Sequence, residues 1–290
     1  MSIVLESSMA MATINEMGAE LSSFILKETE VEYIWQGDPT FWGRHSPVLF
    51  PFVGRLKRDQ YEYEGNIYSM SQHGFARDEM FTVKEYDKTH VVFVLKSTPK
   101  MKKQYPFDFT LTLTYHLVDA KLVINYQVET SSNEMYFSIG AHPAFNVPLT
   151  SGTDFSNYYF QFNPSKSRLK IPLNGPLIDI SCKTLAQTNT AIQIRRELFK
   201  EDAQILETSG FNEFSILSDN HEHGVSLAYE DFPYVGFWTP YDKEAPFICI
   251  EPWCGVADDI HATGELTEKI GINHLKKGDI FKREFTISIF

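Results

Sequence analysis

Cysteine is scarce in this chain. Its three cysteines, Cys182, Cys249 and Cys254, are odd in number and form no Cys-x-x-Cys pair, so neither a disulfide framework nor a zinc knuckle is implied. Reduced thiols in a cytosolic protein are the simplest expectation. Positive charge is also short. Lys+Arg 26 against Asp+Glu 38 leaves a net charge of −12, which argues against a general nucleic-acid binder or a protein of anionic membrane surfaces, since both need clustered positive charge. No apolar run approaches the ~18 residues of a membrane span, and Met1 to Glu20 has no basic stretch ahead of an apolar core, so the reading is a soluble protein that is not exported. No tract rich in Pro, Gly or Ser reads as a linker, no tandem repeat is present, and no segment carries helical periodicity as strong as the strand patterns.

What is present is apolar and aromatic. A hydrophobic content of 43% in 290 residues suffices for a substantial core, and 1–290 is expected to be one domain. Phe 23 and Tyr 14 favour strands, and flat rings also suit sugar recognition by packing on pyranose C–H faces. Phe109-Thr110-Leu111-Thr112-Leu113-Thr114-Tyr115 alternates strictly, so one face is buried and the threonine face is solvated or packs on a second layer. Further strands are expected at Ala12 to Lys27 around a Gly18 turn, Val31 to Trp35, Met80 to Glu85, His90 to Lys96, Lys121 to Glu129, Tyr158 to Phe162, Ala191 to Arg195, Glu213 to Leu217, Val225 to Tyr229, Val235 to Thr239 and Phe281 to Phe290. One helical turn is expected near Arg196 to Asp202, and Tyr61 to Met70 reads as a hairpin with Gly65-Asn66 as its loop. The economical fold is all-β and antiparallel, a large β-sandwich.

Four places combine a titratable side chain with a constrained backbone: His73 before Gly74, His142 before Pro143, Glu251 before Pro252, and Asp202 after an acidic turn. Phe137, Ile139 and Ala141 alternate into a His-Pro step that lacks a ladder N–H, so His142 should stand at a strand end. In Phe247-Ile248-Cys249-Ile250-Glu251 both faces are apolar until the last residue, so the strand should be central, with Glu251 emerging at its end beside Phe247 and Cys249. A carboxylate there is costly unless partnered or used. The loop from Phe41 to Lys57 mixes Trp42, Arg44, Arg55 and prolines, the composition of a ligand wall.

Taken together these motifs resemble the aldose 1-epimerase (galactose mutarotase-like) family, nearest its shorter bacterial branch associated with lactose and galactose catabolism genes. The resemblance runs along nearly the whole chain: Ile14 to Leu21, Gly54-Arg55, His73-Gly74-Phe75-Ala76-Arg77, Gly140-Ala141-His142-Pro143-Ala144-Phe145-Asn146 and Ile250-Glu251-Pro252-Trp253. It implies a supersandwich of curved antiparallel sheets with a sugar site on the concave face, and no metal or organic cofactor. It also implies Glu251 as catalytic base, His142 as catalytic acid, His73 as the second active-site histidine, Arg55 as a pocket arginine and Asp202 as a substrate-binding aspartate. Where longer galactose mutarotases continue with Asn-Arg-Ile after the arginine, this chain has Leu56-Lys57-Arg58, which leaves the sugar preference open.

The chemistry suits the residue types. Anomer interconversion removes the proton of the anomeric hydroxyl while another is given to the ring oxygen, and an imidazole with an intrinsic pKa of roughly 6.5 can donate and retake it near neutrality. Glu251 is expected to be ionised at rest, held so by a nearby arginine or histidinium. Trp42, Phe75 and Trp238 are candidates for stacking on the sugar. Convergence of Arg44, Arg55, Lys57 and Arg77 would instead suit a hexose 6-phosphate. Three other readings stand beside this one: a non-catalytic sugar-binding module, a glycosidase pairing Glu251 with Asp202 or Asp258, and a metal site at His221-Glu222-His223, where the flanking sequence favours an exposed turn.

Overall fold

The computed structural model describes residues 1–290. Alternating apolar residues build two large antiparallel sheets that meet face to face. The nine-stranded sheet runs in the order 192–193, 158–163, 212–218, 225–229, 280–289, 121–130, 109–118, 90–96 and 82–86. The eight-stranded sheet runs 184–186, 168–171, 204–207, 234–238, 247–254, 139–141 and 48–49, with 144–146 also paired to 247–254. Strands Ser2–Glu6, Ala10–Asn15, Leu21–Leu26 and Val31–Glu32 form a smaller sheet, and helical segments are confined to short 3₁₀ turns such as Arg196–Phe199. Strand Phe109–Val118 buries Phe109, Leu111, Leu113 and Tyr115 and leaves its threonines partly solvated, as its alternation requires.

The sheets are joined by rings. Phe237 of the eight-stranded sheet lies 4.9 Å from Phe160 and 5.4 Å from Phe214 of the nine-stranded one, in edge-to-face geometry. One continuous apolar core of 65 residues takes in both large sheets and the N-terminal one, so the chain is a single domain.

Two sequence expectations are corrected. The hairpin turns on Glu64-Gly65, because Tyr63 pairs with Asn66 and both loop residues take positive φ (49° and 73°), the geometry of a turn matched to strand twist. The strand carrying Glu251 does not stop there. It continues through Pro252 to Cys254, buried along its whole length. Ile248, Ile250 and Cys254 face the main core, while Phe247, Cys249, Glu251 and Trp253 face the other side.

Candidate active site

Strands Ile139–Ala141 and Ala144–Asn146 both pair with Phe247–Cys254. Gly140 pairs with Trp253 and Ala144 with Cys249, so one register holds on both sides of the His142-Pro143 step. That register sets His142 directly across from Glu251. Pro143 and Pro252 both lack an N–H, so two prolines open the ladder on either side of this one cross-strand pair. On the far side Glu251 faces Gly236.

The resulting cleft, about 480 Å³, is lined by Trp42, Arg44, Gly54, Gln72, His73, Arg77, His142, Leu173, Pro176, Asp202, Ala203, Ile205, Trp238, Glu251, Trp253 and Ala257. Seven of the eight residues proposed from sequence therefore converge. The exception is Arg55, whose guanidinium turns away and grips Asp59 through Nε (2.7 Å) and Nη2 (3.2 Å). Gly54, at φ 73°, gives the wall its backbone instead. Lys57 also leaves the site, donating to the carbonyls of Ile260 and Ala262. Phe75 is a core ring among Phe50, Tyr105 and Phe109, whereas Trp238 does line the cleft. Asp258 is buried against Lys269, and the turn holding His221 and His223 spends its imidazoles on Tyr158 and Tyr33.

Sequence reasoning passed over Gln72, Trp253 and the Leu173 to Pro176 edge. Trp253 was legible, because it follows Glu251 by two residues and must share its face. Nothing local marks Leu173 or Pro176.

The catalytic candidates are tightly framed. His142 Nε2 lies 3.2 Å from Glu251 Oε2, close but not aligned as a hydrogen bond, and Glu251 Oε2 and His142 Nδ1 are both buried without a partner. The His142 ring stacks on Trp42 (centroids 4.8 Å, 26°) and stands edge-on to Trp238 and His73, each at 5.6 Å. His73 Nδ1 accepts the Gly54 N–H at 3.1 Å, which leaves the proton on Nε2. Arg77 donates through Nη2 to the Gln72 carbonyl (2.7 Å), and its buried Nε makes no hydrogen bond but lies 3.9 Å from the Asp78 carboxylate, to which Arg44 is tied at 2.8 Å.

Burial sets the proton inventory. It pushes the Glu251 carboxyl well above the usual carboxylate range, and the Asp202 carboxylate adds to the effect. Burial lowers His142 to about 3, with Arg77 and Arg44 pressing the same way. Enclosure likewise raises Asp202 and lowers Arg77 to about 10, so that guanidinium stays charged. Contrary to the expectation from sequence, no arginine reaches the Glu251 carboxylate to hold it ionised, and burial works against the charged form of both partners.

His73 gives a test of this electrostatic picture. Burial, then the neighbouring His142, Arg77 and Arg44, hold its pKa well below 6.5. The unfolded chain thus takes up a proton below pH ~6.5 that the folded chain refuses, and stability is lost as pH falls through that range. Replacing His73 by Gln should make the fall in urea midpoint between pH 7.5 and pH 5 smaller than in the wild type. An equal fall in both proteins would refute the assignment.

Two glycines shape the floor. A methyl group on Gly236 would meet the Trp253 ring at 2.6 Å, and one on Gly140 would meet its Cδ1 at the same distance. The indole lies across gaps that only glycine leaves in the flanking strands. Gly236→Ala should therefore cost about 1–3 kcal/mol and raise KM by tilting the indole; thermal unfolding and saturation kinetics check both halves.

Comparison with known proteins follows the same lines. A family model described as aldose 1-epimerase matches residues 1–269. Protein LacX (plasmid) of Lactococcus lactis subsp. lactis is 30% identical over 301 residues, covering 100% of this chain and 99% of its own. A galactose mutarotase related enzyme from Lactobacillus acidophilus superposes with a TM-score of 0.98 at 40% identity, covering 100% of this chain and 97% of the other. A galactose mutarotase-like protein from Lactobacillus casei ATCC 334 gives 0.92 at 34% identity, with 100% of both chains covered.

Proposed function

This chain belongs to the aldose 1-epimerase family, and from that premise we propose that it interconverts the α and β anomers of a free aldohexose such as galactose or glucose. The observation that carries the reading is the cross-strand pair itself, an imidazole and a carboxyl 3.2 Å apart inside an aromatic-lined cleft. The pair holds one exchangeable proton. In its reactive form Glu251 is the carboxylate and His142 the imidazolium. Glu251 takes the proton of the anomeric hydroxyl, His142 gives its proton to the ring oxygen, the C1–O5 bond breaks and C1 becomes an aldehyde.

The pair then stands as carboxylic acid and neutral imidazole, the state that burial favours. Rotation about C1–C2 and the reverse transfers close the other anomer, with the proton count unchanged. Trp42 supports His142 by stacking, and its π face stabilises the imidazolium formed during turnover. His73, Gln72, Arg77 and Asp202 offer donors and acceptors for the sugar hydroxyls, and Trp238 and Trp253 offer apolar surface.

A neutral sugar fits better than a 6-phosphate. Of the four basic residues that would have had to converge, only Arg44 and Arg77 reach the cleft, and both already face the Asp78 carboxylate, at 2.8 and 3.9 Å. A sugar-binding module without catalysis is the second reading, since the same rings and arginines would serve it. Polarimetry on freshly dissolved α-galactose, α-glucose and their 6-phosphates separates these. We expect accelerated mutarotation of the neutral sugars; acceleration of the phosphates alone reverses the substrate assignment, and a buffer rate for all of them leaves the binder.

A further inference from the structure

Beneath the cleft, Cys249 shares the face of Glu251 two residues earlier on the same strand, fully buried between Ala144 and Trp238. One imidazole nitrogen of His142, the Cys249 sulfur and a carboxylate oxygen of Glu251 all lie within 4.8 Å of one another. We propose that these three side chains form a binding site for a borderline-soft divalent cation of the zinc type, and that a cation bound there switches the site off.

Four observations point the same way. The donor set of imidazole, thiolate and carboxylate is one that tetrahedral zinc accepts. Two ligands each ~2.0–2.1 Å from a tetrahedral centre stand about 3.3 Å apart, and His142 Nε2 and Glu251 Oε2 are already 3.2 Å apart. Glu251 Oε2 is buried and unpartnered, a lone pair with no protein donor. Finally, a thiolate and a carboxylate neutralise a divalent cation, so the loaded site adds no net charge to a dry interior. His142 and Glu251 open onto the cleft, which provides the route of entry and a fourth position for water.

Binding is balanced in protons. The cation displaces one proton from the Cys249 thiol and one from the Glu251 carboxyl, while neutral His142 donates its lone pair unchanged. The loaded pair can no longer pass a proton to or from C1 oxygens, because its lone pairs are engaged by the cation. Only this inhibitory half of the proposal rests on the epimerase reading; the binding half does not.

The test uses the full-length protein with Zn²⁺ and Co²⁺. Calorimetry should show one Zn²⁺ per chain, with heats that vary with buffer because protons are released. Co²⁺ should give a thiolate charge-transfer absorption that vanishes in Cys249→Ala. Mutarotation should fall in step with zinc occupancy and return with chelator, whereas Cys249→Ala keeps its zinc-free rate and needs at least ~10-fold more zinc to be inhibited. Cys249→Ser serves the same comparison if the alanine variant does not fold. No charge-transfer band in the wild type, a band that persists in both variants and so belongs to Cys182 or Cys254, or equal zinc sensitivity would each overturn the proposal. A Cys249-dependent band on a protein without mutarotase activity would uphold the site and remove the epimerase reading instead.

Discussion

Glu251→Gln is expected to lower mutarotation by about 10²–10⁴-fold, the range a positioned base contributes, while leaving the fold at least as stable as the wild type. Glutamine keeps the shape but cannot take the anomeric proton. The stability half follows from burial. Glu251 is 1% exposed, one of its oxygens has no hydrogen-bond partner, and Asp202 repels its charge, so the folded state holds a proton that the unfolded chain releases. Because its folded pKa is raised, wild-type stability falls as pH climbs above the unfolded carboxyl pKa of ~4.3. The thermal midpoint of the variant relative to wild type should therefore rise between pH 5 and pH 8. A polarimetric rate within tenfold of wild type would remove Glu251 as the base, and a relative midpoint that drops with pH would contradict the burial argument.

His142→Asn should lose a comparable ~10²–10⁴-fold, because the ring oxygen then has no acid beside it. The pair shares one proton and acts as a unit, so the double variant should sit within about tenfold of the slower single one rather than at the product of the two losses. Sugar binding should survive, since His73, Arg77, Asp202 and the indoles remain. Quenching of tryptophan fluorescence by the sugar measures this, with Trp42 and Trp238 both in contact with position 142. Fully multiplicative losses would mean that the two groups act in separate steps and not as one proton relay.

Much of the frame is local and therefore legible along the chain. The Phe109 to Tyr115 alternation, the shared face of Cys249 and Glu251 and the 3₁₀ turn after Arg195 follow from backbone period and side-chain type, which need no distant partner. Arg55 failed for the opposite reason. A family motif fixes the position of a residue in the chain, but its side chain goes to the best local partner, and Asp59 four residues on supplied one. Pro252 misled as well. It bars a ladder bond, but at that position the neighbouring strand carries its own gap, so the strand could run on.

Composition and alternation by themselves determined an all-β chain with one core, and the local motifs, through the family they resemble, narrowed the chemistry to a few residues, of which His73, His142 and Glu251 stand against glycine or proline. Only the tertiary structure decided that His142 faces Glu251, because register depends on pairings made on both sides of a break. It also decided which way each group's proton affinity moves. Desolvation and the charges of Asp202, Arg44 and Arg77 act through space, and no stretch of sequence around either residue records them.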